Sequence, residues 1–265
     1  MRISGSNVLI TGATGGIGET LARTFAARGA RLVLSGRRKD ALDDLAGQLG
    51  AARTVPADLA DPQDVARLCE ECGDTDILVA NAALPASGDV LEYTPEQIRR
   101  AIAVNLEAPI MLSRSLAPRM AQAGRGHLCL VGSISGKAAT KATAMYNATK
   151  FGLRGFALAL RQDLQPTGVG VSLVQPGFVR DAGMFAATGV ELPSGMRTVS
   201  PQQVADGVVR AVSRNLCEVN VAPLELRVLS SVAGQFPALS EHVQRRFGAT
   251  DEAVTGIVDA QRARR

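Results

Sequence analysis

The chain alternates short apolar runs with longer stretches in which apolar residues recur at helical spacing. Val8-Leu9-Ile10, Arg31-Leu32-Val33-Leu34-Ser35 and Thr54-Val55 read as strands. So do Asp76-Ile77-Leu78-Val79-Ala80, His127-Leu128-Cys129-Leu130-Val131, Val169-Gly170-Val171-Ser172-Leu173-Val174 and Glu218-Val219-Asn220-Val221. Helical patterns fill the gaps at 16–28, 39–49, 94–106 with a continuation past Pro109 to 121, and 144–164. Asp61-Pro62 opens another helix with a capping side chain and a proline at its first position, and Ser200 caps one over 201–215. Continuous apolar strands between amphipathic helices predict a parallel sheet covered on both faces. The expected fold is α/β: one doubly wound domain over residues 1–222, about seven strands, with a substrate loop at 177–200. From 223 the pattern turns helical and forms an extension, expected to pack on the domain or at a subunit interface.

Composition agrees. Of 265 residues, 46% are hydrophobic, too many for a disordered chain, and the 3% aromatic content with abundant alanine argues against a β-sandwich. No apolar stretch approaches the ~18 residues of a membrane span. Met1-Arg2-Ile3-Ser4-Gly5 runs into the first strand without a signal-peptide pattern. Four cysteines in a chain this long build no disulfide framework, so a cytoplasmic, reducing setting is the default. The net charge of +4 is mild, and five basic residues fall between Arg245 and Arg265. No basic run alternates with aromatic residues, so nucleic acid is not an expected partner.

Between the first strand and first helix stands Thr11-Gly12-Ala13-Thr14-Gly15-Gly16-Ile17-Gly18. A dinucleotide brings its pyrophosphate to a helix N-terminus, where unpaired N–H groups and the helix dipole favour anions. Glycines at 12, 16 and 18 would keep side chains out of that approach. A tight turn without a ligand would need glycine too, but position after the first strand favours the cofactor. The second strand ends Ser35-Gly36-Arg37-Arg38, with no acid before Asp40. An acid there would bond the ribose hydroxyls and repel a 2′-phosphate, whereas a guanidinium holds a phosphate bidentately. NADP(H) is therefore expected over NAD(H), unless the arginines merely begin a solvated helix.

Tyr146 and Lys150 lie four residues apart at the start of a helix, hence on one face. A nearby cation favours the phenolate, and Ser133 ends the fifth strand at the edge where open α/β sheets bind ligands. Taken together these residues resemble the short-chain dehydrogenase/reductase family over roughly residues 6–221. The glycine turn, Asp58-Leu59, Asn81-Ala82, Asn105, Ser133, Tyr146 with Lys150, and Pro176-Gly177 fall in the family's order. The resemblance implies a Rossmann-like fold and a hydride exchange between nicotinamide and a carbonyl or alcohol. It implies that Tyr146 gives or takes the proton, Ser133 bonds the same oxygen, Lys150 binds the ribose and lowers the Tyr146 pKa, and Asn105 holds a water. Cofactor contacts would come from Gly12, Thr14, Gly15, Gly16, Ile17, Gly18, Arg37, Arg38, Asp58, Leu59, Asn81, Ala82, Tyr146, Lys150, Pro176, Gly177 and Val179, and a homo-oligomer is expected. A dinucleotide-binding sensor or a cofactor-retaining epimerase are the alternatives.

Two positions depart from the family pattern. Ala83 stands where glycine is usual, and Asp181 where a threonine often bonds the carboxamide; Asp181 could accept from that amide but not donate. The loop carries Phe178, Val179, Met184, Phe185, Ala186, Ala187, Val190, Leu192 and Met196, with Gly183, Gly189 and Gly195 for mobility. Adaptable apolar walls of this kind predict an apolar substrate, acyl, terpenoid or steroid-like. Cys69-Glu70-Glu71-Cys72 has metal or redox spacing but no second pair, and neither His127 nor His242 has a ligand-spaced partner. No metal is expected. In the extension, Leu224, Leu226, Val228, Leu229, Val232 and Phe236 approximate an apolar helical stripe. It could pack on the domain, seal a subunit interface, shape the substrate mouth or touch a membrane surface.

Overall fold

The computed structural model describes residues 1–50, 52–191, 197–247 and 251–262. Strands β1 (Asn7–Thr11), β2 (Arg31–Gly36), β3 (Arg53–Pro56), β4 (Ile77–Ala80), β5 (Gly126–Val131), β6 (Val169–Pro176) and β7 (Glu218–Val221) form one sheet. They pair in parallel in the order β3-β2-β1-β4-β5-β6-β7. The helices among them are α1 (Gly16–Ala26), α2 (Lys39–Leu49), α3 (Pro62–Glu71), α4 (Pro95–Ile102), α5 (Ala108–Gln122) and α6 (Ala144–Leu164). They continue with α7 (Gly183–Ala186), α8 (Pro201–Arg214), α9 (Leu224–Gln235), α10 (Pro237–Phe247) and α11 (Asp251–Arg262).

Side chains alternate across each strand, and each face has its own core. Val8 and Ile10 pack with Leu21, Phe25, Leu42 and Val208 from α1, α2 and α8. Leu9, between them, packs with Leu68, Leu112, Leu116 and Leu153 from α3, α5 and α6. Burial on both faces is what made the strands read as unbroken apolar runs. The winding reverses where β1 lies beside β4, and such a switch point opens a crevice at the strand C-termini. Among the described residues no helix is long and apolar enough to cross a membrane.

Local signals set the helix ends. The Asp61 carboxylate accepts from the Gln63 N–H at 2.8 Å, and Ser200 and Gln203 cap each other's backbone. The helix expected over 94–121 is interrupted by a π turn at Ala103–Glu107. Pro109 supplies the reason: it has no N–H, and its ring crowds the carbonyl four residues earlier, which belongs to Asn105.

His127 lies inside the sheet at 1% exposure, its Nε2 2.9 Å from Ser172 Oγ. Burial foremost, then the positive N-terminus and Arg161, push its pKa down to about 3. The unfolded chain takes up a proton near pH 6.5 and the folded one does not, so stability is full above 6.5 and falls as pH drops toward 3. About 2 kcal/mol is expected to be lost by pH 5, before carboxylates begin to titrate. Urea melts of His127→Gln should be flat across pH 6.5–5; an unchanged slope would assign the loss elsewhere.

The extension packs on the domain by one side of α9. A β-carbon at Gly177 would meet Leu226 Cδ2 at 3.1 Å, and one at Gly234 would meet the Lys137 carbonyl at 2.5 Å. Ser230 is buried on this side. Of the six apolar residues in the expected stripe only Leu226 turns inward; Leu224, Val228, Leu229, Val232 and Phe236 are exposed.

Candidate active site

The first two turns of α6 carry Tyr146 and Lys150, and Ser133 follows β5. Ser133 starts a 3₁₀ turn, its Oγ accepting from the Ser135 N–H at 3.1 Å, and its side chain acts on the Tyr146 phenol, whose pKa it lowers. Lys150 is 3% exposed, donates to the Val131 carbonyl at 3.3 Å, and sits 5.7 Å from the centre of the Tyr146 ring. Burial pulls the Lys150 pKa down to about 8. Burial also pushes the Tyr146 phenol up, opposed by the Ser133 side chain. The expected downward pull from Lys150 does not figure in this shift: the ammonium donates to a main-chain carbonyl instead.

Asn105 lies in the π turn, 1% exposed, its side chain donating to the Leu84 carbonyl at 2.9 Å and accepting from the Leu84 N–H at 2.6 Å. The amide therefore pins the segment after β4. Sequence reasoning missed Asn147. It is buried, donates to the carbonyls of Ser135 and Ala138 at 2.6 and 2.9 Å, and also bonds Thr143, so it anchors the loop that precedes α6. The Tyr146 N–H donates to Ala86 at 3.1 Å, joining the α6 start to the segment after β4.

The glycine turn is shaped by the protein itself as much as by room for a ligand. Gly12 has φ +64, and a β-carbon there would stand 2.8 Å from Ala82 Cα. One at Gly18 would meet the Gly12 carbonyl at 2.0 Å, and one at Gly16 would meet Ala182 Cβ at 2.4 Å. Gly15, by contrast, has only the Gly12 carbonyl within reach, at 3.4 Å, and no side chain caps α1. The N-terminal N–H groups of α1 are left for an anion, which fits a pyrophosphate. Ile17 packs near Gly183, and the Thr14 carbonyl accepts from Arg38 at 3.0 Å.

Arg37 and Arg38 are exposed at the end of β2 with no carboxylate in the Gly36 position. Asp58 accepts from the Ala60 N–H and pairs with Arg100, both at 3.0 Å; these outweigh its burial and lower its pKa. Leu59 is buried beneath it. Asn81 and Ala82 are tied to the end of β1: both N–H groups donate to Thr11 Oγ1 at 3.1 Å, and the Asn81 amide donates to the Thr11 carbonyl. The Gly177 N–H donates to Val221, so Pro176 and Gly177 end β6 in register with β7. The Val179 side chain belongs to the core, which leaves only its main chain facing the site.

Asp181 takes φ +65 and pairs with Arg180 at 3.4 Å, its carboxylate 70% exposed. It faces solvent, and Ala182 reaches the glycine turn in its place. Phe178 and Phe185 meet edge to face at 5.0 Å. Leu192, Gly195 and Met196 lie outside the described residues. Among the described residues no cluster could hold a metal ion. Cys69, Cys72 and Cys129 are buried and unpaired, with thiols pushed up by burial, Cys72 to about 11 and Cys129 to about 12, so the Cys69/Cys72 pair is packing.

Residues 6–191 match the family model of the short chain dehydrogenases. The chain is 31% identical to a ketoacyl reductase, HetN, of Nostoc sp., over 94% of this chain and 91% of that one. It superposes on a short-chain dehydrogenase from Sphingobium yanoikuyae in complex with NADPH with a TM-score of 0.77, at 32% identity over 90% of this chain and 94% of that one. A bulky-bulky ketone specific alcohol dehydrogenase from Comamonas testosteroni gives a TM-score of 0.74 at 28% identity, over 90% and 92%. With its glycine turn, parallel sheet and Ser/Tyr/Lys cluster, the chain belongs to the short-chain dehydrogenase/reductase family, oxidoreductases that bind nicotinamide dinucleotides.

Proposed function

We propose that the protein is an NADP(H)-dependent carbonyl reductase or alcohol dehydrogenase acting on an apolar ketone or secondary alcohol. The reading is carried by one observation: the Tyr146 phenol stands with Ser133 and the buried Lys150 ammonium at the sheet's C-terminal edge. The nicotinamide supplies or accepts the hydride when bound. A phenol raised by burial stays protonated through the neutral range, which suits a proton donor in the reducing direction. Tyr146 gives its proton to the substrate oxygen, Ser133 bonds that oxygen, and Lys150 holds the ribose. Asn105 offers its main-chain carbonyl to a relay water. Gly12, Thr14, Gly15, Gly16, Ile17 and Gly18 receive the pyrophosphate. Asp58, Leu59, Asn81 and Ala82 border the adenosine half, and Pro176, Gly177 and Val179 the nicotinamide. Exposed Met111 and Phe151 support a homo-oligomer, and four unpaired cysteines suit a cytoplasmic setting.

Arg37 and Arg38 support the choice of NADP(H). A β-carbon at Gly36 would make only ordinary contacts, 3.5 Å from Thr14 Oγ1 and 3.8 Å from Leu42, so an aspartate fits there. Gly36→Asp with Arg37→Glu is expected to weaken NADPH binding by about 10–100-fold, the loss of a charge-assisted bond plus new repulsion, and to favour NADH. Nucleotide fluorescence titration reads both. Equal affinity of the unaltered protein for the two nucleotides would overturn the arginine argument.

The Phe178–Phe185 pair and the partly buried Met184 support an apolar substrate. The bulky-ketone preference named for the Comamonas neighbour points the same way. The test is a homologous series of ketones followed by NADPH absorbance. kcat/KM should rise about fourfold per methylene, for about 0.8 kcal/mol each, until the pocket fills. A flat response, or preference for small polyols, removes the apolar reading; no oxidation of NADPH by any ketone removes the reaction.

A further inference from the structure

The C-terminal helix α11 is joined to both segments that border the cleft. Gly256 lies so near the loop after β6 that a β-carbon there would stand 3.0 Å from Val190 Cγ2. At the other end, Arg262 Nη2 donates to both carboxylate oxygens of Glu92, at 3.0 and 2.8 Å, in the segment after β4. Its neighbour Tyr93 packs in a cluster with Ala86, Met145 and Tyr146. The helix therefore bridges the two walls, and one face of it carries Val254, Ile257, Val258 and Gln261. These positions follow the i, i+3, i+4, i+7 stripe of one helix face. Three are apolar and partly buried. Gln261 is 6% exposed, and its Oε1 has no hydrogen-bond partner among the described residues. A buried amide oxygen without a donor is disfavoured, and a leucine would complete the stripe without that penalty.

We propose that α11 is the outer wall of the substrate cleft and that Gln261 determines specificity. Its amide receives a hydrogen-bond donor, a hydroxyl or amide N–H, carried by the substrate at the end remote from the reacting carbonyl. The inference rests on the carbonyl-reductase reading above and narrows it. The substrate is then a largely apolar ketone with one distal polar group. A site built to bond such a group discriminates against the analogue lacking it, because the analogue leaves Gln261 unpaired.

The test compares ketones of equal length with and without a terminal hydroxyl. kcat/KM is measured with NADPH, and affinity for the enzyme–NADP+ complex by calorimetry. Wild type should prefer the hydroxylated member, and Gln261→Leu should lose about tenfold of that preference in both measurements, with NADPH affinity unchanged. Gln261→Met serves as the second variant where the leucine protein does not fold. An unchanged ratio overturns the proposal, and so does an equal loss on both members, which is the mark of a packing defect. Discrimination in binding without turnover on either member would sink the reductase reading and leave the Gln261 assignment standing.

Discussion

Tyr146→Phe is expected to lower turnover by about 10²–10⁴-fold, the usual contribution of a positioned acid–base group. The substitution removes one oxygen and keeps the ring, so the packing with Ala86, Tyr93 and Met145 and the ring's position near Lys150 persist. Ser133 keeps the Ser135 N–H, which holds its hydroxyl in place. Folding stability should change by at most about 1 kcal/mol, the net worth of a single hydrogen bond. NADPH affinity should move little, since none of the groups facing the glycine turn or Arg37 is touched. The informative pattern is kcat and kcat/KM falling together, which marks an interaction made in the transition state. Near-full activity would show that the proton comes from another group. A large rise in KM with kcat kept would instead assign Tyr146 to binding.

The fold was open to reading in the chain because the inner strands bury both faces and the helices flanking them bury one. Val8-Leu9-Ile10 is unbroken apolar sequence, yet Leu9 and its neighbours feed different cores. Helix starts were visible where a side chain makes the cap, as at Asp61 and Ser200. The π turn was hidden, since its cause is the carbonyl displaced by Pro109 and no residue at 103–107 announces it. Asn105, Ser133, Tyr146 and Lys150 were recognisable by order along the chain, but their bonds were not. That Asn105 would pin Leu84, that Asn147 would anchor the loop before α6, and that Asp181 would face solvent all depend on chain segments distant in sequence. The α9 stripe fails for a related reason: periodicity finds the apolar face of a helix but not which way it turns. There, the room left by Gly177 and Gly234 decides that Leu226 and Ser230 go inward.

Lys150→Met is expected to abolish useful activity and at the same time to stabilise the nucleotide-free protein. The ammonium is 3% exposed, has the Val131 carbonyl as its hydrogen-bond acceptor, and its pKa is drawn by burial from 10.5 to about 8. A lowered lysine pKa means that the folded state resists the charge, so the unfolded chain binds the proton more tightly. At pH 7 this opposes folding by about 3 kcal/mol, and methionine of similar length removes the opposition. The sign gives the pH dependence. Below pH 8 both states of the wild type are protonated and the gap to the variant stays constant. Between 8 and 10.5 only the unfolded chain keeps the proton, wild-type stability rises, and the gap narrows to under about 1 kcal/mol at pH 10. Denaturant melts of the two proteins at pH 7 and pH 10 measure it directly. A variant less stable than wild type at pH 7 would mean that Lys150 has ion partners in the folded site beyond the Val131 carbonyl. A gap that does not shrink with pH would mean that its ammonium is not the source. The expected pairing of higher stability with lost turnover is the signature of a charge held in the core for chemistry, against the preference of the fold.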